Sequence, residues 1–236
     1  MSWNLIGGVI IIGSLLWQDY LEKEGDGIRL NWRNAYLDME NKIPIKVPIR
    51  YGRESSSGIM TMVFSNRMAK RNGFGYVVPF KKKINNQDEL LSGCIALSRA
   101  EGMDGNFVAS WGGILAYLLN DTIIEPSVKK EIIKLFKKQK KKKVDISEYK
   151  VGRERSCVTK SLKLNIDWVT PVLDSDKSKI KEFHFLLATP TKPMNKIPTY
   201  EEIAKTIRSD KKRKYFINNL THGIITHDDF EIAKCL

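Results

Sequence analysis

Cysteine is scarce in this 236-residue chain. Cys94, Cys157 and Cys235 are odd in number and show no paired spacing, which fits a reducing cytoplasm better than a secreted disulfide scaffold. Histidine is equally rare. His184, His222 and His227 have no Cys or carboxylate partner at zinc spacing, so no metal is expected. Long apolar runs are missing as well. The stretch Leu5 to Trp17 is too short to span a bilayer, lacks the basic flank of a signal peptide, and is followed by Asp19, Glu22 and Glu24. No membrane partner is therefore expected. There is no P-loop, and "GDGIRL" at 25–30 is not a dinucleotide fingerprint, so no cofactor is expected either.

What is present is an apolar fraction of 42%, enough for a buried core, and a net charge of +13. Much of the excess lies in Lys81–Lys83, in the run from Lys137 to Lys143 and in residues 211–214. Such charge attracts nucleic acid or anionic small molecules. The run at 137–143 contains no aromatic residue on which a single strand could stack, which weakens the nucleic-acid reading.

Local patterns outline an α+β chain. Strands are expected at Val9–Ile12, at 28–38 ("IRLNWRNAYLD"), at 59–65 and 75–80, at 161–169 ("SLKLNIDWV") and at 183–188. Pro44 and Pro48 favour an edge or irregular extended segment between the second and third of these. Helical spacing begins at Gln87 and stops at Gly102. Two helices are expected within 105–156, one over "FVASWGGILAYLL" and one beginning at Pro126. Thr199 with Glu202 three residues on announces the first of the closing helices. The expectation is one domain, 1–236: a mixed sheet or small barrel with flanking helices and a lysine-rich helical pair inserted at 105–156.

Four stretches fall in a telling order: "IIGSLLW" (11–17), "SGIMTMVFS" (57–65), "GFGYVVPF" (73–80) and "SRAEGM" (98–103). Together with "YFINNLTHGIITHDDFEI" (215–232) they resemble the γ-glutamylcyclotransferase-like family, including its glutathione-degrading (ChaC-like) branch. The resemblance implies that the loop Ile12, Gly13, Ser14, Leu15 holds a γ-glutamyl group. Backbone N–H groups of Ser14 and Leu15 and the Ser14 hydroxyl would face its carboxylate or developing oxyanion. It also implies that Glu101 is the acid/base that frees the substrate's amine to attack its own γ-carbonyl, releasing 5-oxoproline without a cofactor. Arg50 and Arg53, in "PIRYGRESS", are arginines that could pair with a substrate carboxylate.

Two departures stand out. Ile12 occupies the place where the family's loop carries Tyr, and "RSDKKRKYF" lacks the Gly-rich turn that precedes the final helices of the ChaC-like branch. They leave open another γ-glutamyl or acyl-amine substrate. Also open are a cavity that binds an anionic small molecule or nucleotide without turnover, and docking on nucleic acid through the basic runs.

Overall fold

The computed structural model describes residues 3–21, 26–139, 144–209 and 213–236. Glu22, Glu24, the end of the lysine run at 140–143 and Lys211–Lys212 lie outside the described residues.

β1 (Gly7–Ile11) is buried along its whole length and leads into a single 3-10 turn, Ser14–Leu16. The next element is helix α1 (Ile28–Tyr36), where the sequence pattern suggested a strand. The alternation of Ile28, Leu30 and Trp32 is misleading, because Leu30 faces solvent at 40% exposure. The buried face is Arg29, Trp32 and Arg33, at helical spacing but largely charged, so hydropathy does not reveal it. The helix starts where it does because Asp26 Oδ1 accepts from the Ile28 N–H and the Asp19 carbonyl accepts from Arg29 and Leu30.

β2 (Ile43–Val47) is a regular strand rather than an irregular segment, paired antiparallel to β5 on one side. Pro48 marks where the chain leaves that sheet. β3 (Ile49–Glu54) and β4 (Met60–Phe64) then form a separate two-stranded hairpin with a register shift between Tyr51 and Arg53. β5 (Gly73–Pro79) returns to the main sheet, followed by α2 (Gln87–Ala100).

The apolar segment expected as a helix at 107–119 ends instead in strand β6 (Ala116–Leu119), and the described residues of 105–156 hold one α-helix, α3 (Pro126–Gln139). A short, fully buried apolar run suits either state. Here the pairing of β6 with β8 and the packing of Phe136 on the Tyr117 ring, 4.2 Å between centroids, select the strand. The strand expected over 161–169 is mostly irregular, held by bridges at Leu164 and Lys163. β7 (Thr170–Pro171) caps β2, and α4 (Lys177–Glu182) leads into β8 (Phe185–Ala188).

The order β6-β8-β1-β5-β2-β7 makes a curled six-stranded half-barrel, with β1 and β8 parallel and the other pairs antiparallel. Three helices close the chain: α5 (Tyr200–Ser209), α6 (Lys214–Thr221) and α7 (Asp229–Lys234). Thr199 caps α5 as expected: its Oγ1 accepts from the Glu202 N–H, and its own N–H donates to Glu202 Oε2. The fold is thus mixed α+β, with seven α-helices among the described residues. None of these is long and apolar enough to cross a membrane.

Candidate functional site

Beyond the end of β1 lies a cavity of about 1020 Å³. Ile12, Gly13, Ser14 and Leu15 line it, and so do Arg53 and Glu101. Arg50 does not. Its guanidinium is buried on the other side of the hairpin, where Nη1 donates to the Tyr51 carbonyl at 3.1 Å and Nη2 lies 3.8 Å from Glu154. The expectation that Arg50 faces a substrate is therefore corrected: burial lowers its proton affinity, Glu154 partly offsets this, and it does not line the cavity.

Glu101 owes its place to the way α2 ends. Gly102 adopts φ +75°. Its N–H donates to the Arg99 carbonyl and the Met103 N–H to that of Ser98, a left-handed stop that leaves Glu101 as the capping residue. The carboxylate is 15% exposed. Its Oε2 accepts from Arg29 Nη2 at 3.2 Å and its Oε1 from the Thr189 hydroxyl at 2.6 Å. Thr189 follows directly on β8, so the acid is held between α1 and the end of a central strand.

Arg29 joins this carboxylate to the loop. Its Nη1 donates to Ser14 Oγ at 2.9 Å and to Gln18 Oε1 at 2.7 Å, and its Nε donates to the Ala100 carbonyl at 3.0 Å. Because Ser14 Oγ accepts from a guanidinium, which can only donate, the one hydroxyl proton of Ser14 remains available to another acceptor. Arg33 adds a second tie, donating to the carbonyls of Leu15 and Gln18 and pairing with Asp19. Neither arginine figures among the sequence candidates. Their signal was the spacing of Arg29, Trp32, Arg33 and Tyr36 on one helical face.

Gly13 is extended (φ −172°), so it is not needed for a special backbone angle. It is needed for room: a Cβ there would stand 2.8 Å from the Tyr215 hydroxyl. Tyr215 comes from α6, whose Asn219 Oδ1 also accepts from Trp17 Nε1 at 2.9 Å. A phenol thus reaches the loop although Ile12 supplies none. Burial pushes the Tyr215 phenol up, opposed by the Met62 N–H that donates to it.

Also lining the cavity, the Arg53 guanidinium sits 4.9 Å from the centre of the Trp111 ring. Burial pulls its proton affinity down while Glu101 pulls it up. It forms no ion pair with any described residue, whereas the Glu101 and Asp19 carboxylates are both matched by arginines. The cavity is thus lined by the Arg53 guanidinium, which has no ion-pair partner among the described residues, and by the Glu101 carboxylate fixed by Arg29 and Thr189.

The remaining candidates have structural roles. His184 Nδ1 accepts from the Ile6 N–H, with burial lowering its proton affinity, and Cys94 is buried in the core, where its thiol is pushed up. No group of three or more His, Cys, Asp or Glu among the described residues is placed to hold a metal ion. Comparison with known proteins gives no matching family model, no matching curated protein and no matching solved structure.

Proposed function

We propose that the cavity binds a γ-glutamyl peptide or amine and closes its glutamyl group on itself, with Glu101 as general acid/base. The resemblance of residues 11–17, 57–65, 73–80 and 98–103 to γ-glutamylcyclotransferase-like proteins supports this reading. The single observation that carries it is the Arg29 link, which fixes the Ser14 hydroxyl and the Glu101 carboxylate side by side on one cavity wall.

In this reading Arg53 takes the α-carboxylate of the glutamyl group and Glu101 takes a proton from its α-ammonium. Each carboxylate oxygen has two acceptor positions, so the bonds from Arg29 and Thr189 leave capacity for that proton. The freed amine attacks the γ-carbonyl. A C–N bond closes the five-membered ring and the negative charge on the former carbonyl oxygen faces Ser14. Glu101 gives its proton to the departing nitrogen, and the oxygen's electron pair re-forms the carbonyl as the original amide bond breaks. The second proton of the ring nitrogen passes through Glu101 to the amine, which leaves as ammonium. Because the attack is intramolecular, the catalytic gain lies in holding the reactive rotamer.

The pairing of Glu101 with Arg29 also favours a second reading, in which the site recognises an anionic amino-acid derivative and does not turn it over. One experiment separates them. Purified protein is incubated with a panel of γ-glutamyl peptides and amines and 5-oxoproline is measured. Release that disappears in a folded Glu101→Gln variant is the expected result. Stabilisation of the protein by the same compounds without release selects the binding reading.

A further inference from the structure

A second concavity, of about 640 Å³, lies on another part of the surface, between residues 66–69 and 151–155. Arg67, Arg153 and Arg155 line it, with Ile197 as an apolar wall. Arg67 and Arg153 form no ion pair with any described residue, and Arg155 only reaches across to Asn66 Oδ1 at 3.4 Å.

The carboxylate in the groove, Glu154, does not cancel this charge at the surface. Its Oε2 accepts from Ser65 Oγ and from the Arg67 N–H, at 2.7 and 3.3 Å. Its Oε1 accepts from the Val151 N–H at 2.7 Å and faces the buried Arg50. Both oxygens are turned to internal partners. Arg50, 3% exposed, stands behind the groove as the counter-charge of Glu154, so that pair is balanced internally and the three surface arginines set the charge of the groove.

The frame is fixed as well. Asn66 Nδ2 donates to the carbonyls of Arg155, Ser156 and Asn165, at 3.1, 3.2 and 3.0 Å, tying the turn after β4 to the 151–156 segment. The backbone that carries the arginines is therefore braced, and the ordering a ligand must impose is confined to their side chains.

We propose that this groove binds a phosphorylated small molecule through Arg67, Arg153 and Arg155. Guanidinium groups suit phosphate because they donate in pairs and keep their charge. A nucleic-acid strand fits less well. None of the lining residues is aromatic, so bases have nothing to stack on, and the arginines converge on one hollow instead of tracking a backbone. The proposal is independent of the chemistry assigned to the larger cavity.

Titration calorimetry of the full chain with sodium pyrophosphate tests it. All three arginines are exposed, so Arg67→Glu and Arg153→Glu are expected to keep the unliganded melting temperature. The expected result is binding that weakens at least tenfold in each variant and is unchanged in Arg53→Ala. No binding by the unmodified protein, or binding untouched by the two reversals, overturns the proposal. Loss of binding in Arg53→Ala overturns it by moving the ligand to the larger cavity. Salt-sensitive capture of a single-stranded oligonucleotide without pyrophosphate binding overturns it in favour of nucleic acid.

Discussion

Arg29 and Glu101, 72 residues apart in the chain, meet at 3.2 Å, and the same guanidinium holds Ser14. The pair is largely shielded from water, with side chains 9% and 15% exposed. Removing one partner therefore leaves a poorly solvated charge behind.

Replacing Arg29 by Met is expected to cost about 3 kcal/mol of stability, the scale for breaking a buried ion pair. Urea denaturation measures it. Arg29→Lys restores the charge but not the fork, since one ammonium cannot reach Ser14, Gln18, Ala100 and Glu101 together. Stability recovers in part. On the proposed function kcat for 5-oxoproline release stays down at least a hundredfold while KM changes little. Full recovery of kcat by Lys contradicts the role given to the fork.

Gly13→Ala pushes a methyl group to 2.8 Å from the Tyr215 hydroxyl. The expected penalty is about 1–3 kcal/mol, as for other overpacked sites. Tyr215→Phe removes the offending oxygen, so the double variant is expected to be less destabilised than the two single changes summed. Thermal denaturation of the four proteins checks this, and strict additivity refutes the steric account.

The two arginines of β3 separate binding from folding. Arg53→Gln is expected to leave the melting temperature within a degree or two and to weaken glutamate-like ligands at least tenfold, read by calorimetry. Arg50→Ala reverses the pattern, costing about 3 kcal/mol because Glu154 loses its buried counter-charge while ligand affinity is kept. Equal affinity losses in both variants contradict the placement of Arg50 outside the cavity.

Asp229 gives a pH signature. Burial pushes its carboxyl from 3.8 up to about 6, against hydrogen bonds from the Thr226 N–H and hydroxyl that pull it down. The folded state therefore holds this proton more tightly than the unfolded chain does. Between roughly pH 4 and 6 the native state binds more protons, so this group's contribution to stability falls as pH rises and is lost above the folded value. Asp229→Asn has no such titration. The unfolding free energy of the wild type is expected to drop relative to Asp229→Asn across that window, and parallel pH profiles refute it.

Much of the site was legible because its marks are local. Gly102 after a helical run fixes where α2 stops and so places Glu101, and the Gly-Ser interruption places the loop after β1. Thr189 was not legible, since its bond to Glu101 exists only once β8 lies beside β1. Arg29 was hidden for a different reason. A helix that buries arginines presents no apolar stripe, and Ile28, Leu30 and Trp32 happen to alternate as a strand would. β6 shows the limit of periodicity: four buried residues in a row carry no period, and the choice of strand over helix is made by β8 and Phe136.

The parallel pairing of β1 with β8 has a bearing on how the protein is born. Gly7 lies opposite Phe185, and the loop that follows β1 is packed from below by Tyr215 and Asn219. On the ribosome β1 can pair with β5 early, but its other edge stays open until β8 leaves the exit tunnel, and the hollow next to it is walled later still by α6. Until β8 arrives, the fully buried apolar β1 therefore keeps one edge unpaired, a surface for factors that shield emerging polypeptides to cover.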